Sequence, residues 1–150
     1  MAGTRADRGR STAWQVPLRV VTGAFILNSG MNKRGADADT ATALQGFAAG
    51  TYPQVKSMPP ERFVATLSAG EIALGAALLA VPVVPAAVAG AGLTGFAAGM
   101  LGLYARTPGM RQEGSIRPTE QGTALAKDVW MLGIGVSLLL GGLKGRRAAR

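Results

Sequence analysis

The chain contains no cysteine and no histidine. These absences remove disulfides, thiol redox chemistry, haem ligation, iron–sulfur clusters and almost every zinc or copper site. Charge is sparse as well, at 16% of residues, and none of the 34 residues between Glu71 and Arg106 carries any. A soluble helical core needs polar residues every turn on its outward face, and this run has almost none. Nucleophile-and-base sets, phosphate-cradling loops and metal-spaced carboxylates are missing too. The Gly-rich AGAGLTG lacks the preceding strand and the basic residue that phosphate binding requires. An autonomous enzyme is therefore not expected, and no cofactor is expected to be held covalently or by metal ligands.

What is present is apolar and arranged in blocks: 48% of the 150 residues are hydrophobic. One bilayer crossing takes about 20 predominantly apolar residues. Four stretches qualify, at about 14–32, 63–81, 85–104 and 123–143, the middle two joined by the short turn at Pro82-Val83-Val84-Pro85. The runs are continuous and rich in Ala, Leu and Gly, without the alternation of a lipid-facing strand, so helices are expected. The fold class is all-α: a polytopic four-transmembrane-helix bundle over 14–143, between basic polar tails at 1–13 and 144–150. Between the first two spans, Leu44, Phe47 and Ala48 share the face of a short helix ended by Tyr52 and Pro53, or lie in a plain loop.

The net charge of +8 sits at the span ends and in the tails, where lysines and arginines meet lipid headgroups rather than nucleic acid. The tails hold seven basic residues and the opposite side eight, but the unpaired clusters in both tails favour cytoplasmic termini in a multi-pass cell-membrane protein. A signal peptide is the competing reading of the start, since RADRGR precedes an apolar stretch. Arg19 inside that stretch, and no small-x-small site after it, argue against one.

Gly92, Gly95, Gly99 and Gly102 follow a 3-4-3 spacing that puts them on one face, and Ala69, Ala73, Ala76 and Ala80 form a similar stripe. These faces are expected to pack on each other within the central hairpin. On the first span Arg19, Gly23, Ile26, Gly30 and Lys33 line one side, with Asn28 roughly opposite. Glu71 shares its side with Leu67, Leu74 and Leu78. A charge at the bilayer centre costs about 2.5–3.5 kcal/mol, so Glu71 needs a partner, and Arg19 is the expected one. Such a pair fixes helix register, holds a quinone or small polar ligand, or relays protons. Lys127 and Trp130 read as interfacial anchors, and Asp128 is expected to meet Arg106 or Arg117. Asn28 and Ser29 are expected to hydrogen-bond across helices.

LRVVTGAFILNSGMNKRG resembles the opening motif of the DoxX-like family of small bacterial membrane proteins, with Arg19, Gly23, Phe25, Gly30 and Lys33 at the motif positions. AGEIALGAALL is similar to that family's second motif, through Glu71, Gly75 and Leu78, and the stretch from Arg106 to Gly135 resembles an actinobacterial branch. The resemblance covers most of residues 16–143. It implies a four-helix membrane fold and a place in a membrane complex, since one member is a subunit of a thiosulfate:quinone oxidoreductase and others are linked to oxidative or thiol stress. It therefore implies a membrane or peripheral oxidoreductase partner and a nearby quinone. The family often has His or Gln where this chain has Asn28 and Ser29, and without cysteine any thiol transfer would need the partner. Two other classes fit the residues: a small transporter or proton-coupled channel using Arg19, Glu71 and Lys33, which would need a homo-oligomer to widen its interior, and a purely structural membrane protein.

Overall fold

The computed structural model describes residues 13–81 and 83–148. The basic tail expected at 1–13 lies almost wholly outside them, as do Pro82 and residues 149–150 of the second tail. The protein is all-helical, with 77% helix and no strand among the described residues. The helices are α1 (Gln15–Asn32), α2 (Ala38–Thr51), α3 (Pro60–Leu79), α4 (Ala86–Arg106), α5 (Thr123–Ala126) and α6 (Asp128–Ala148).

Local chemistry sets these boundaries. The chain leaves α1 through Gly35 at φ +75°, a conformation that side chains other than glycine rarely adopt. Asp37 then caps α2, accepting a hydrogen bond from the Thr40 N–H at 2.8 Å. Pro60 opens α3 at a position where its missing N–H has no intrahelical partner to lose. The last span, expected from Thr123, is one apolar helical segment with a joint in it: a single turn, α5, followed at Asp128 by α6. The Trp130 N–H donates to the Lys127 carbonyl at 3.0 Å, a tighter three-residue closure at the joint.

Three helical segments are long and apolar enough to cross a membrane: Pro60–Leu79, Ala86–Arg106 and Thr123–Gly145. This marks the chain as a membrane-spanning protein. α1 does not reach the same apolar content, because Gln15, Arg19, Asn28 and Asn32 dilute it. The distribution of side chains is inverted relative to a water-soluble fold. Gln15, Arg19, Thr22, Ser68 and Glu71 are buried, while Val21, Phe25, Val88, Trp130 and Leu140 are exposed.

The long helices form two closely packed antiparallel pairs, α1 with α3 and α4 with α6. Glycines decide the pairing. A Cβ on Gly75 would lie 2.6 Å from the Leu27 nitrogen, and one on Gly23 would lie 3.0 Å from the Gly75 carbonyl oxygen. In the second pair a Cβ on Gly90 would overlap Leu139, one on Gly142 would overlap Ala87, and one on Gly135 would fall 2.7 Å from the Thr94 nitrogen. In apolar surroundings such backbone approach supplies the van der Waals contact that holds helices together. Ile26, Leu78, Ala89, Leu93 and Leu138 join the two pairs in one core.

The expected packing within the α3–α4 hairpin is corrected by this arrangement. Gly95 and Gly99 have open space where a Cβ would stand, Gly92 meets only the tip of Leu74, and Gly102 meets Tyr52. The alanine stripe of α3 is exposed at Ala69, Ala73 and Ala76. The two helices follow each other in sequence, but each carries its closest-packing glycines on another face. Tyr52, ending α2, fills the notch instead and donates its hydroxyl to the Gly99 carbonyl at 2.7 Å.

Valine at Gly75 or Gly90 must force the backbones apart, at a cost of about 1–3 kcal/mol or more. Thermal unfolding in detergent should show both variants less stable than the parent, whereas Gly95→Ala, placed in open space, should leave the midpoint unchanged or raised.

Candidate functional site

The antiparallel register of α1 and α3 places the two embedded cations of α1 at opposite ends of the pair. Arg19 lies where α3 ends. It is 1% exposed, and its guanidinium is bound almost entirely by backbone. Nε donates to the Leu78 carbonyl at 2.8 Å, Nη2 to Ala77 at 2.8 Å, and Nη1 to Val84 at 3.0 Å and to Oε1 of Gln15 at 3.3 Å. The carbonyls of Ala77 and Leu78 belong to the last turn of α3, where backbone acceptors lack intrahelical partners and the helix dipole is negative. The planar fork of five N–H donors reaches the helix end and the turn into α4 together, which an ammonium group could not do.

Glu71 lies near the other end, facing Gly30, about 16 Å from Arg19 along the axis at 1.5 Å per residue. The expected Arg19–Glu71 pair is therefore not formed. Glu71 is paired with Lys33, whose Nζ stands 2.9 Å from Oε2, and this is the one ion pair among the described residues. The glutamate side chain is 4% exposed and the lysine 22%. Nζ also donates to Ser29 Oγ at 2.8 Å and to the Ser29 carbonyl at 3.3 Å. Ser68, one turn before Glu71 on the same face, donates to the Gly30 carbonyl at 2.7 Å. Gly30 makes this possible, since a Cβ there would stand 2.9 Å from that of Glu71.

Of the four residues expected to form one intramembrane site, Lys33 and Glu71 come together, Arg19 is distant from them, and Asn28 lies on the exposed side of α1 with no hydrogen bond to another helix. Ser29 bonds within its own helix, to Lys33. The secondary set is not assembled. Lys127, Trp130 and Arg106 are exposed, and Asp128 is half-buried and ion-paired with neither Arg106 nor Arg117. Sequence reasoning missed Ser68 and Gln15, both buried and bonded. Their signal was position: Ser68 is three residues before Glu71, and Gln15 is four before Arg19.

Buried polar side-chain atoms all have partners among the described residues. Chemically the α1–α3 seam is a clasp, with its charges closed internally and no group placed as a nucleophile. Beside it lies an open groove of about 660 Å³. Its mouth carries Lys33, Arg34 and Glu61, and its floor is the alanine stripe from Ala65 to Ala76. Comparison with models of known protein families, with curated proteins and with solved structures finds no match to this chain.

Removing one partner of a buried ion pair costs about 3–5 kcal/mol, and the partial exposure of Lys33 puts this pair at the lower end. Unfolding of single and double variants in detergent should show strong coupling between Lys33→Met and Glu71→Leu, the double being less destabilised than the sum of the singles. Arg19→Leu and Glu71→Leu should instead add to within about 0.5 kcal/mol, as distant sites do. Coupling of Glu71 to Arg19 but not to Lys33 would contradict the geometry.

Proposed function

We propose that the chain is a four-span membrane subunit, non-catalytic on its own, that supports a partner oxidoreductase in a quinone-linked complex of the bacterial cell membrane. The observation that carries this reading is the uncovered surface of the last helix. Only 11% of its apolar window is buried within the protein, against 39% for α4, and Trp130, Val136 and Leu140 are exposed along it. Lipid can cover that face, and so can another membrane protein. The redox character of the partner rests on the resemblance of the α1 and α3 motifs to the DoxX-like family.

Counting α1 as the fourth span is supported by where its polar residues lie. Gln15, Arg19 and Thr22 are buried against the rest of the protein, while Val16, Val20, Val21 and Phe25 are exposed. Over this first half of the helix a low average apolar content is compatible with an apolar outer surface, while Asn28 and Asn32 are exposed towards its other end. Four spans put both termini on one side, and the basic tails favour the cytoplasmic one.

The seam weighs against a passage for protons or solutes. Arg19 and Glu71 stand at opposite ends of it, and Gly23, Gly75 and Leu78 are packed tightly between them. A relay would need polar groups at intervals through that contact.

Mild-detergent purification from native membranes, with proteomics of retained proteins and extraction of quinone, tests the proposal. A stoichiometric oxidoreductase is expected to co-purify, with quinone in the retained complex. Recovery of the chain alone, together with solute or proton flux in proteoliposomes, would overturn it.

A further inference from the structure

The connection from α4 to α5, residues 107–122, is a clasped hairpin. The Gln112 N–H donates to the Arg117 carbonyl at 2.9 Å and the Gln112 side chain to the Pro118 carbonyl at 3.2 Å, while Thr119 Oγ1 closes the base on the Gly109 carbonyl at 2.7 Å. Two further bonds fold the hairpin back on α4. Arg111 Nη2 donates at 2.8 Å to the Ala105 carbonyl, an acceptor in the last turn that lacks an intrahelical donor, and the Tyr104 hydroxyl donates to the Ile116 carbonyl at 2.6 Å.

The second of these bonds sets a depth. Tyr104 stands two residues, about 3 Å, inside the end of α4, so the Ile116 backbone is held beside the last turn of a helix long and apolar enough to cross a membrane. The Ile116 side chain is nevertheless 85% exposed, the highest value for a large hydrophobic among the described residues. Its neighbours Gln112, Glu113, Ser115 and Arg117 are polar, and Gly114 has no side chain. A protein interface buries about 1,200 Å² or more, which one apolar side chain in polar company does not offer. Lipid needs only the one.

We propose that Ile116 is a membrane anchor, inserted in lipid at the boundary between headgroups and acyl chains, with Tyr104 and Arg111 holding the hairpin at that depth. Tyrosine is at home in this layer, and the exposed Arg106 and Arg117 are placed to meet headgroups. The connection carries two arginines and two glutamates, so it selects no headgroup charge. The inference rests on α4 crossing the membrane and needs no oxidoreductase, so it stands or falls separately from that assignment.

Spin labelling of the full chain in phosphatidylcholine nanodiscs tests it, and the absence of cysteine makes each introduced thiol unique. Labels at Ile116→Cys, at Asp39→Cys in the exposed first turn of α2 and at Leu140→Cys on the exposed face of α6 are compared by their collisions with oxygen and with a water-soluble nickel chelate. The oxygen-to-nickel ratio at Ile116 should lie above that at Asp39, towards that at Leu140. Adding Tyr104→Phe and Arg111→Gln should lower it to the Asp39 value, with helicity by circular dichroism unchanged. A ratio at Ile116 equal to that at Asp39, exclusion of both reagents from Ile116, or no change in the triple variant would each overturn the proposal. A water value at Leu140 as well would overturn the crossing of the membrane along with it.

Discussion

The structure depends on one requirement: in apolar surroundings every charge and every free backbone carbonyl must find its partner within the protein. Arg19 meets both halves of it at once. The last turn of α3 leaves carbonyls without intrahelical donors, and Arg19 is a cation without an acid within reach. Bringing them together satisfies the helix end and pins α1 to α3 and to the turn that starts α4. A charge that looks like a liability in the sequence is thereby a joint between three segments. At the other end of the same seam Lys33 and Glu71 close a second contact, so the pair is fastened at both ends and can neither slide nor splay without exposing a charge.

Between those fastenings the seam is held by the lack of side chains. Gly23, Gly30 and Gly75 allow the backbones to approach, and Gly90, Gly135 and Gly142 do the same between α4 and α6. Two pairs result, with a shared apolar core and with outer faces that remain apolar. This division of labour bears on function. Polar groups are used inside to set register, which leaves the exposed alanine groove and the uncovered face of α6 as the surfaces available to lipid or partner.

Much of this was legible in the sequence. The apolar blocks gave the helices, and the spacing of Arg19, Gly23, Ile26, Gly30 and Lys33 named the buried side of α1, on which all but the half-buried Lys33 are buried. The placement of Glu71 opposite the alanine stripe also agrees with its burial. The partner of Arg19 was not legible, because it is backbone: carbonyl oxygens at a helix end belong to no residue type and leave no mark in a pattern of side chains. Once acids alone are considered as partners, Glu71 becomes the natural choice for Arg19, and only the antiparallel register shows that the two are far apart. The glycines of α4 misled for a related reason. Gly90 and the run Gly92, Gly95, Gly99 and Gly102 lie on different faces of α4, and the sequence of one helix does not say which face its neighbour will take. That choice is made by Gly135 and Gly142 on a helix far along the chain.

Solid-state NMR dipolar recoupling on the protein in lipid bilayers tests the seam most directly, using ¹⁵N at the Arg19 guanidinium and Lys33 amine and ¹³C at the Leu78 carbonyl and the Glu71 carboxyl. Arg19 should couple to Leu78 and Lys33 to Glu71. Coupling of Arg19 to the Glu71 carboxyl, with none to the Leu78 carbonyl, would contradict the register on which the rest of the structure is built.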